Sequence, residues 1–154
     1  MTEARSLIAV LTRRGETVAT AESLTAGLVC ATLTAVPGAS AVVRGGLIVY
    51  ATELKARLAG VDTRLLAEHG AVHPEVAAQL AEGARNRCGA SWGLGLTGVA
   101  GPDSQDGVGP GTVHIGLAGN GVRTVRTLWF EGDRAVVRNS AVRAALGLLG
   151  EHLE

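Results

Sequence analysis

The chain has 154 residues, about the common size of one folding unit, and its 14 basic and 14 acidic residues give a formal charge of zero. It has no basic stripe, and aromatic residues make up only 3% of it, which argues against nucleic-acid binding. No apolar run approaches the roughly 20 residues that cross a bilayer, and the first residues lack a signal-peptide pattern. We therefore expect one cytoplasmic domain over residues 1–154 that does not bind membranes.

Hydrophobic periodicity and turn residues predict strands that alternate with helices. The predicted helices are an opening segment that stops near Gly15 and residues 23–35, 52–59, 63–69, 74–88 and 133–152. The predicted strands are residues 17–21, 46–50, 93–97, 112–118 and 123–128, the last two forming a hairpin around residues 119–121. Residues 103–109 are polar and are expected to form a mobile surface loop. The pattern predicts an α/β sandwich whose sheet is mostly parallel, with an antiparallel pair near one edge.

The predicted order of elements brings three segments to one edge of the sheet. Ser23 follows the first strand, Tyr50 and Lys55 follow the second, and the turn at residues 97–102 follows the third. Ligands of open α/β sheets bind beyond the carboxyl ends of the strands. If these strands are parallel, this edge is the expected functional site.

Lys55 is the only lysine of the chain, against thirteen arginines. Burial and neighbouring charges can bring a lysine ammonium to neutrality, whereas arginine stays charged in proteins. A lysine retained in so arginine-rich a chain is a candidate base, and the only tyrosine, Tyr50, lies five residues before it. An ordinary surface lysine beside a half-buried tyrosine is the open alternative.

Ser23 lies in the segment AESLTAG, residues 21–27, between a predicted strand and a predicted helix. Two roles are open for its hydroxyl: an N-cap of the helix, or a nucleophile close to amides that favour an oxyanion or a phosphate. The turn TGVAGP, residues 97–102, has small residues that let backbone amides point into a concavity and bind an anion. A purely structural turn is its alternative, and its spacing is that of neither a Walker loop nor a dinucleotide-binding motif.

The histidines and cysteines suggest no metal site. His69 and His73 have the spacing of one helix face, but Gly70 and Pro74 interrupt any shared helix. The two cysteines are expected to be buried, small and reduced. We therefore expect no metal and no organic cofactor.

Two arginines near the start of the last predicted helix are candidates for contact with a ligand. Arg134 and Arg138 follow Asp133 on adjoining helical turns. Structural charge pairing and contact with a ligand phosphate are both open for them.

Seven segments carry further information when they are taken in chain order. They are AESLTAG, VPGAS, GGLIVY followed by Lys55, GAVHPEVA, TGVAGP, GTVHIGLA and GDRAVVR. Together, over roughly residues 5–150, they resemble the CinA carboxy-terminal domain family. That family has a three-layer α/β/α sandwich, and its characterised members are nicotinamide-nucleotide amidases, which hydrolyse nicotinamide mononucleotide to nicotinate mononucleotide and ammonia. The resemblance implies this fold and reaction for a stand-alone domain, without the molybdopterin-binding-like domain of longer members.

The resemblance also implies roles for individual residues. Ser23 would be the nucleophile, and Lys55 and Tyr50 would activate it. The implied substrate-binding residues are Thr25, Gly27, Thr97, Gly98, Ala100, Gly101 and Arg138. The expected partner is a small-molecule nucleotide.

The chain departs from the family pattern at several positions. Leu24 stands where cysteine is common, Ala26 where glycine is common, His73 where serine is usual, and residues 108–113 lack the lysine of the common KPVGTV. These changes bear on substrate affinity and preference more than on chemistry. The rival hypothesis is a non-catalytic nucleotide-binding or protein-interaction module of the same fold. Such sandwiches often pair through exposed helices, which leaves a homo-oligomer open.

Overall fold

The computed structural model describes residues 2–154. Its helices are α1 (Thr2–Arg14), α2 (Leu28–Thr34), α3 (Thr52–Ala59), α4 (Thr63–His69), α5 (Pro74–Cys88) and α6 (Arg134–Leu153), with a short 3-10 helix at Ala39–Ala41. Its strands are β1 (Val18–Glu22), β2 (Val43–Ile48), β3 (Trp92–Gly98), β4 (Thr112–Gly119) and β5 (Val122–Trp129). The order of helices and strands agrees with the prediction, and α3, α4 and α5 have the predicted bounds.

The five strands form one mixed sheet in the order β2-β1-β3-β4-β5. Strand β1 pairs in parallel with β2 and β3, whereas β4 is antiparallel to both β3 and β5. Four of the five strands therefore point the same way. The carboxyl ends of β1, β2 and β3 share one edge, as the sequence predicted.

Helices cover both faces of the sheet and complete three layers. On one face α1, α2 and α6 bury leucines such as Leu11, Leu33 and Leu149 against strand residues of β3 and β4. On the other face α3, α4 and α5 close over the small residues of β1, with Leu66 and Leu80 in the cluster. Full burial of each such leucine contributes about 1.5–3 kcal/mol. The predicted α/β/α sandwich with a mixed, mostly parallel sheet is confirmed.

Helix α5 lies unusually close to the sheet because glycines face it. A β-carbon at Gly93, Gly95 or Gly116 would lie well inside van der Waals contact of the carbonyl oxygens of Ala77 or Ala81 on α5. Only a hydrogen atom fits between this helix and these strand positions. The close contact fixes the distance between α5 and the sheet. It thereby also fixes the position of the loop that leads into the helix.

Residues 103–109 are exposed, apart from half-buried Val108, as predicted for a surface loop, but their centre is a regular hairpin. Gln105 and Val108 exchange both backbone hydrogen bonds, at 3.0 and 2.8 Å. Between them Asp106 and Gly107 have φ values of 50° and 77°. Two successive left-handed residues are typical of a type I′ turn, for which Asp-Gly is a favoured sequence.

Two smaller predictions concern the cysteines and the membrane. Cys30 and Cys88 are free but half-buried, so the expectation of full burial was wrong. They lie toward the β2 edge of the sheet, where Arg44 on β2 donates to the carbonyl of Cys88 at 3.0 Å. Within residues 2–154, no helix is long and apolar enough to cross a membrane.

Candidate active site

The amine of Lys55 is buried beside Ser23. Its side chain is among the largest fully buried ones, with 1% of the residue exposed. Nζ donates to Ser23 Oγ at 3.0 Å, to the carbonyl of Val49 at 2.8 Å and to the carbonyl of Tyr50 at 3.2 Å. Three acceptors match the three protons of an ammonium group.

The sheet places both members of this pair. The amide of Ser23 donates to the carbonyl of Leu96 on β3 at 3.1 Å, and the amide of Val49 donates to the carbonyl of Glu22 at 2.9 Å. These bonds extend the parallel pairing past the ends of the strands. Ser23 is thus held at the carboxyl edge between β2 and β3, and α3 begins three residues before Lys55.

Burial makes the Lys55 ammonium a stronger acid than an ordinary lysine ammonium. Desolvation lowers its pKa from 10.5 to about 8, although the carboxylates of Asp106 and Glu53 act in the opposite direction. With that pKa, about one tenth of the amine is neutral at pH 7. In the neutral form two N–H groups still face carbonyl oxygens, which only accept. The lone pair then faces the Ser23 hydroxyl, which can donate its proton.

Glu22, which sequence analysis did not single out, fixes the backbone around Ser23. It is 1% exposed. One carboxylate oxygen accepts from Thr25 Oγ1 at 2.7 Å and from the amide of Val29 at 2.9 Å. The other accepts from Thr20 Oγ1 at 2.8 Å and from the amide of Cys30 at 3.0 Å. The sequence did contain a signal for this role, because Glu22 is a carboxylate that directly precedes Ser23 at the end of an apolar strand.

This carboxylate explains why the helix predicted over residues 23–35 begins only at Leu28. Glu22 accepts from first-turn amides that an N-cap side chain would otherwise satisfy. The N-cap position is taken by Gly27, at φ 97°. The capping role considered for Ser23 is therefore wrong. Ser23 lies in a turn that precedes the helix, with its hydroxyl facing Lys55.

A cleft of about 640 Å³ opens above Ser23. This volume lies within the range of small-molecule sites, about 300–1,000 Å³. The lining comes from segments that follow β1, β2 and β3, together with the start of α6. It consists of Ser23, Leu24, Tyr50, Ala51, Thr52, Gly98, Val99, Ala100, Gly101, Pro102, Asp103, Ser104, Gln105 and Arg134.

Arg134 bridges the two sides of this cleft. One guanidinium nitrogen donates to the carbonyl of Gly101 at 2.8 Å, and another donates to the hydroxyl of Tyr50 at 3.0 Å. Tyr50 is 58% exposed, so its ring and hydroxyl face the cleft while its carbonyl contacts Lys55. Arg138 lies outside the lining, and its Nε donates to the carbonyl of Leu24 at 2.8 Å. Of the two arginines left open by the sequence, Arg134 is the one in the cleft.

The other predicted binding residues fall into two groups, and their roles stay predictions. Those on the cleft lining are Gly98, Ala100 and Gly101. Those behind the lining are Thr25, Gly27 and Thr97. Thr97 is buried, and its hydroxyl donates to the carbonyl of Ala71 at 2.7 Å.

The histidine pair noted in the sequence has a structural position. The rings of His69 and His73 lie with centroids 4.6 Å apart, between α4 and α5. His73 is the N-cap of α5, and its Nδ1 accepts from the amide of Glu75 at 3.1 Å. Over residues 2–154, no group of three or more histidine, cysteine or acidic residues is arranged to hold a metal ion.

Comparison with known proteins identifies the family of the chain. The sequence profile of the CinA C-terminal domain matches residues 2–153. The chain belongs to the CinA C-terminal domain family. It is 50% identical over 143 residues to a CinA-like protein of Frankia casuarinae and 51% identical over 145 residues to one of Anaeromyxobacter dehalogenans. Both alignments cover 93% of this chain but only 33% and 35% of the relatives, so the chain spans about a third of their length.

Solved structures share the whole fold. The competence/damage inducible protein CihA from Agrobacterium tumefaciens superimposes with a TM-score of 0.95 at 35% identity, over 99% of this chain and 94% of that one. A CinA superfamily protein from Escherichia coli gives a TM-score of 0.90 at 29% identity, over 98% and 91% of the two chains. The family resemblance read from the sequence is confirmed.

Proposed function

We propose that the chain is an amidohydrolase that converts nicotinamide mononucleotide to nicotinate mononucleotide and ammonia. The observation that carries the proposal is the 3.0 Å contact between Nζ of buried Lys55 and Oγ of Ser23, at the base of the cleft. A serine in contact with an amine of lowered pKa is the arrangement of an activated nucleophile. Family membership supports the same reaction, because the resemblance implies it.

In the proposed reaction neutral Lys55 accepts the Ser23 proton while Oγ attacks the carboxamide carbon. The proton then passes from Lys55 to the amide nitrogen, the carbon–nitrogen bond breaks, and ammonia leaves. A water molecule attacks the resulting ester while Lys55 accepts its proton. Lys55 returns that proton to Ser23 Oγ as the ester bond breaks, and the carboxylic acid product loses its own proton to solvent. The two carbonyl contacts of Nζ keep this nitrogen directed at Ser23 in both its neutral and its protonated form.

Backbone amides on the cleft lining are the proposed donors to the tetrahedral oxyanion. The amide of Val99 is already committed, because it donates to the carbonyl of Thr112 at 2.9 Å. The remaining candidates close to Ser23 are the amides of Leu24, Ala100 and Gly101. Loss of one such donor in other hydrolases costs about a hundred- to a thousand-fold in turnover.

Charge supports a nucleotide substrate. Among residues 2–154, Arg134 is the only cationic side chain of the cleft lining, and guanidinium groups bind phosphate through two parallel hydrogen bonds. The substrate's pyridinium carries a positive charge, which disfavours protonation of the nearby Lys55 amine and so assists its action as a base. Tyr50 is proposed to orient Lys55 through its carbonyl and to position Arg134 through its hydroxyl.

The test is ammonia release from nicotinamide mononucleotide by the wild-type protein and by Ser23→Ala. We expect release by the wild type, loss of release in the variant, and nucleotide affinity within a few-fold of wild type by calorimetry. Mass spectrometry of the quenched wild-type reaction should find the acyl group on the Ser23 peptide. Nucleotide binding without ammonia release by the wild type would favour the non-catalytic module. Near wild-type turnover in folded Ser23→Ala would disprove the nucleophile.

A further inference from the structure

Asp106 connects the cleft wall to a buried part of the fold. It stands at the turn of the hairpin formed by residues 105–108, and residues 103–105, which precede the turn, line the cleft. Its Oδ2 accepts from the amide of Ala71 at 3.2 Å. The carboxylate lies so close to Gly70 that a β-carbon there would be 2.8 Å from it. The contact therefore depends on glycine at position 70.

Ala71 in turn is tied to the sheet. It is 1% exposed, and its carbonyl accepts from Thr97 Oγ1 at 2.7 Å. Thr97 lies near the carboxyl end of β3, next to Gly98 on the cleft lining. A continuous path of two hydrogen bonds therefore leads from the hairpin, through Ala71, to the strand edge that carries the site. Without Asp106 the hairpin would lose its bond to Ala71.

Asp106 also carries one of two negative charges that act on Lys55. It is the stronger of the two, ahead of Glu53 on α3 itself, and both raise the pKa that burial lowers. The other charged or titratable groups around the cleft are Asp103 on the same wall, and Tyr50 and Arg134 opposite. The Glu22 carboxylate, beside Ser23, accepts four hydrogen bonds.

We propose that Asp106 is a positioning residue of this site, which anchors the 103–105 wall of the cleft to Ala71 and serves as the counter-charge of Lys55. Its effect on turnover rests on the proposed function. Its effect on the lysine does not, because the protonation of Lys55 can be measured without substrate.

The absence of any other lysine makes that measurement direct. Protein labelled with isotopes in lysine gives one side-chain amine signal, that of Lys55, and its chemical shift can be followed by nuclear magnetic resonance from pH 6 to pH 11. The variant Asp106→Asn removes the charge and keeps an oxygen that accepts from Ala71. We expect the titration midpoint of Lys55 to fall by about half a unit to one unit, the size expected of one partly screened counter-charge. Glu53→Gln should lower it less.

Glu68→Gln is the matched control, because Glu68 is exposed on α4 and its replacement removes the same net charge. It should leave the midpoint unchanged within about 0.2 units. If the Lys55 midpoint in Asp106→Asn is no lower than in Glu68→Gln, Asp106 is not the counter-charge of Lys55. The anchor is tested by hydrogen exchange: the amide of Ala71 should exchange at least tenfold faster in Asp106→Ala than in Asp106→Asn. Equal exchange in the two variants would overturn the anchor.

Activity separates this inference from the proposed function. If the protein is the proposed amidase, the acid limb of kcat/KM against pH should move in Asp106→Asn in the same direction as the lysine midpoint. The Lys55 midpoint could move in Asp106→Asn while the acid limb of kcat/KM stays where it is. That result would keep Asp106 as the counter-charge and refute Lys55 as the base. Absence of ammonia release by the wild type would refute the proposed function, and the titration and exchange would still decide the role of Asp106.

Discussion

Burial of Lys55 should make the stability of the protein depend on pH in a defined direction. The folded pKa is about 8 and the ordinary value is 10.5, so between these values the unfolded chain binds more protons than the folded one. Stability therefore rises as pH increases through this window. The difference between the folded and the ordinary pKa corresponds to about 3 kcal/mol, which is the cost of burying the charged amine at low pH.

Within an accessible range the effect is still measurable. Between pH 7 and pH 9, the two pKa values give a rise of about 1 kcal/mol in the free energy of unfolding. Urea denaturation at both pH values would measure it. Burial also raises the pKa of Cys30, which acts in the opposite direction at high pH, so the wild type alone does not isolate the lysine.

The variant Lys55→Met provides the comparison, because it has similar length and no titrating group. It leaves Ser23 Oγ, the buried carbonyl of Val49 and the partly buried carbonyl of Tyr50 without their donor, so we expect it to be less stable than the wild type at pH 9. The free energy of unfolding of Lys55→Met should lack the rise of about 1 kcal/mol between pH 7 and pH 9, while the contribution of Cys30 stays. An equal change in stability for the wild type and the variant would refute the lowered pKa and, with it, Lys55 as a base near neutral pH.

Three substitutions test other parts of the fold and site. Lys55→Arg should lower turnover by about a hundred- to ten-thousand-fold with a smaller change in nucleotide affinity, since guanidinium cannot accept the proton; turnover within about threefold of wild type would make Lys55 a binding residue. Glu22→Gln should lower the free energy of unfolding by about 2–4 kcal/mol, because an amide cannot accept from donors on both of its ends; an unchanged urea midpoint would contradict this. Gly95→Ala should destabilise by more than about 3 kcal/mol through its clash with α5, whereas the control Gly109→Ala, which meets no atom within 4 Å, should stay within about 1 kcal/mol; equal effects would show that α5 can move.

The sequence predicted best the elements whose ends are set locally. Helix α5 begins with proline in its first turn and ends at Gly89 in a left-handed conformation, signals that act within a few residues. The start of α2 was missed because the carboxylate that satisfies its amides comes from the preceding strand, through tertiary contacts. The 105–108 hairpin was missed because its polar composition concealed a turn that Asp106 and Gly107 favour.

The sequence predicted where the site lies in the fold, but not every side chain that contacts it. The rule that ligands bind at the carboxyl ends of parallel strands brought Ser23 and Lys55 to one edge, and the structure places their side chains in contact. The choice between Arg134 and Arg138 could not be made from spacing. These residues are one helical turn apart, and which one meets the cleft depends on the axial position of α6 against the sheet.

Burial of the one lysine leaves residues 2–154 without a side-chain amine on the surface. Reagents and modifications that attach through lysine, such as amine-directed dyes, cross-linkers and acetylation, therefore find no lysine among the exposed side chains of these residues. At a pH near 8 the same amine is partly neutral, and only a neutral amine reacts with acylating reagents. Lys55 is therefore the only side-chain amine of residues 2–154 that a small acylating reagent could mark, and the extent of amide formation there would report how often a molecule of that size passes the cleft to the buried amine.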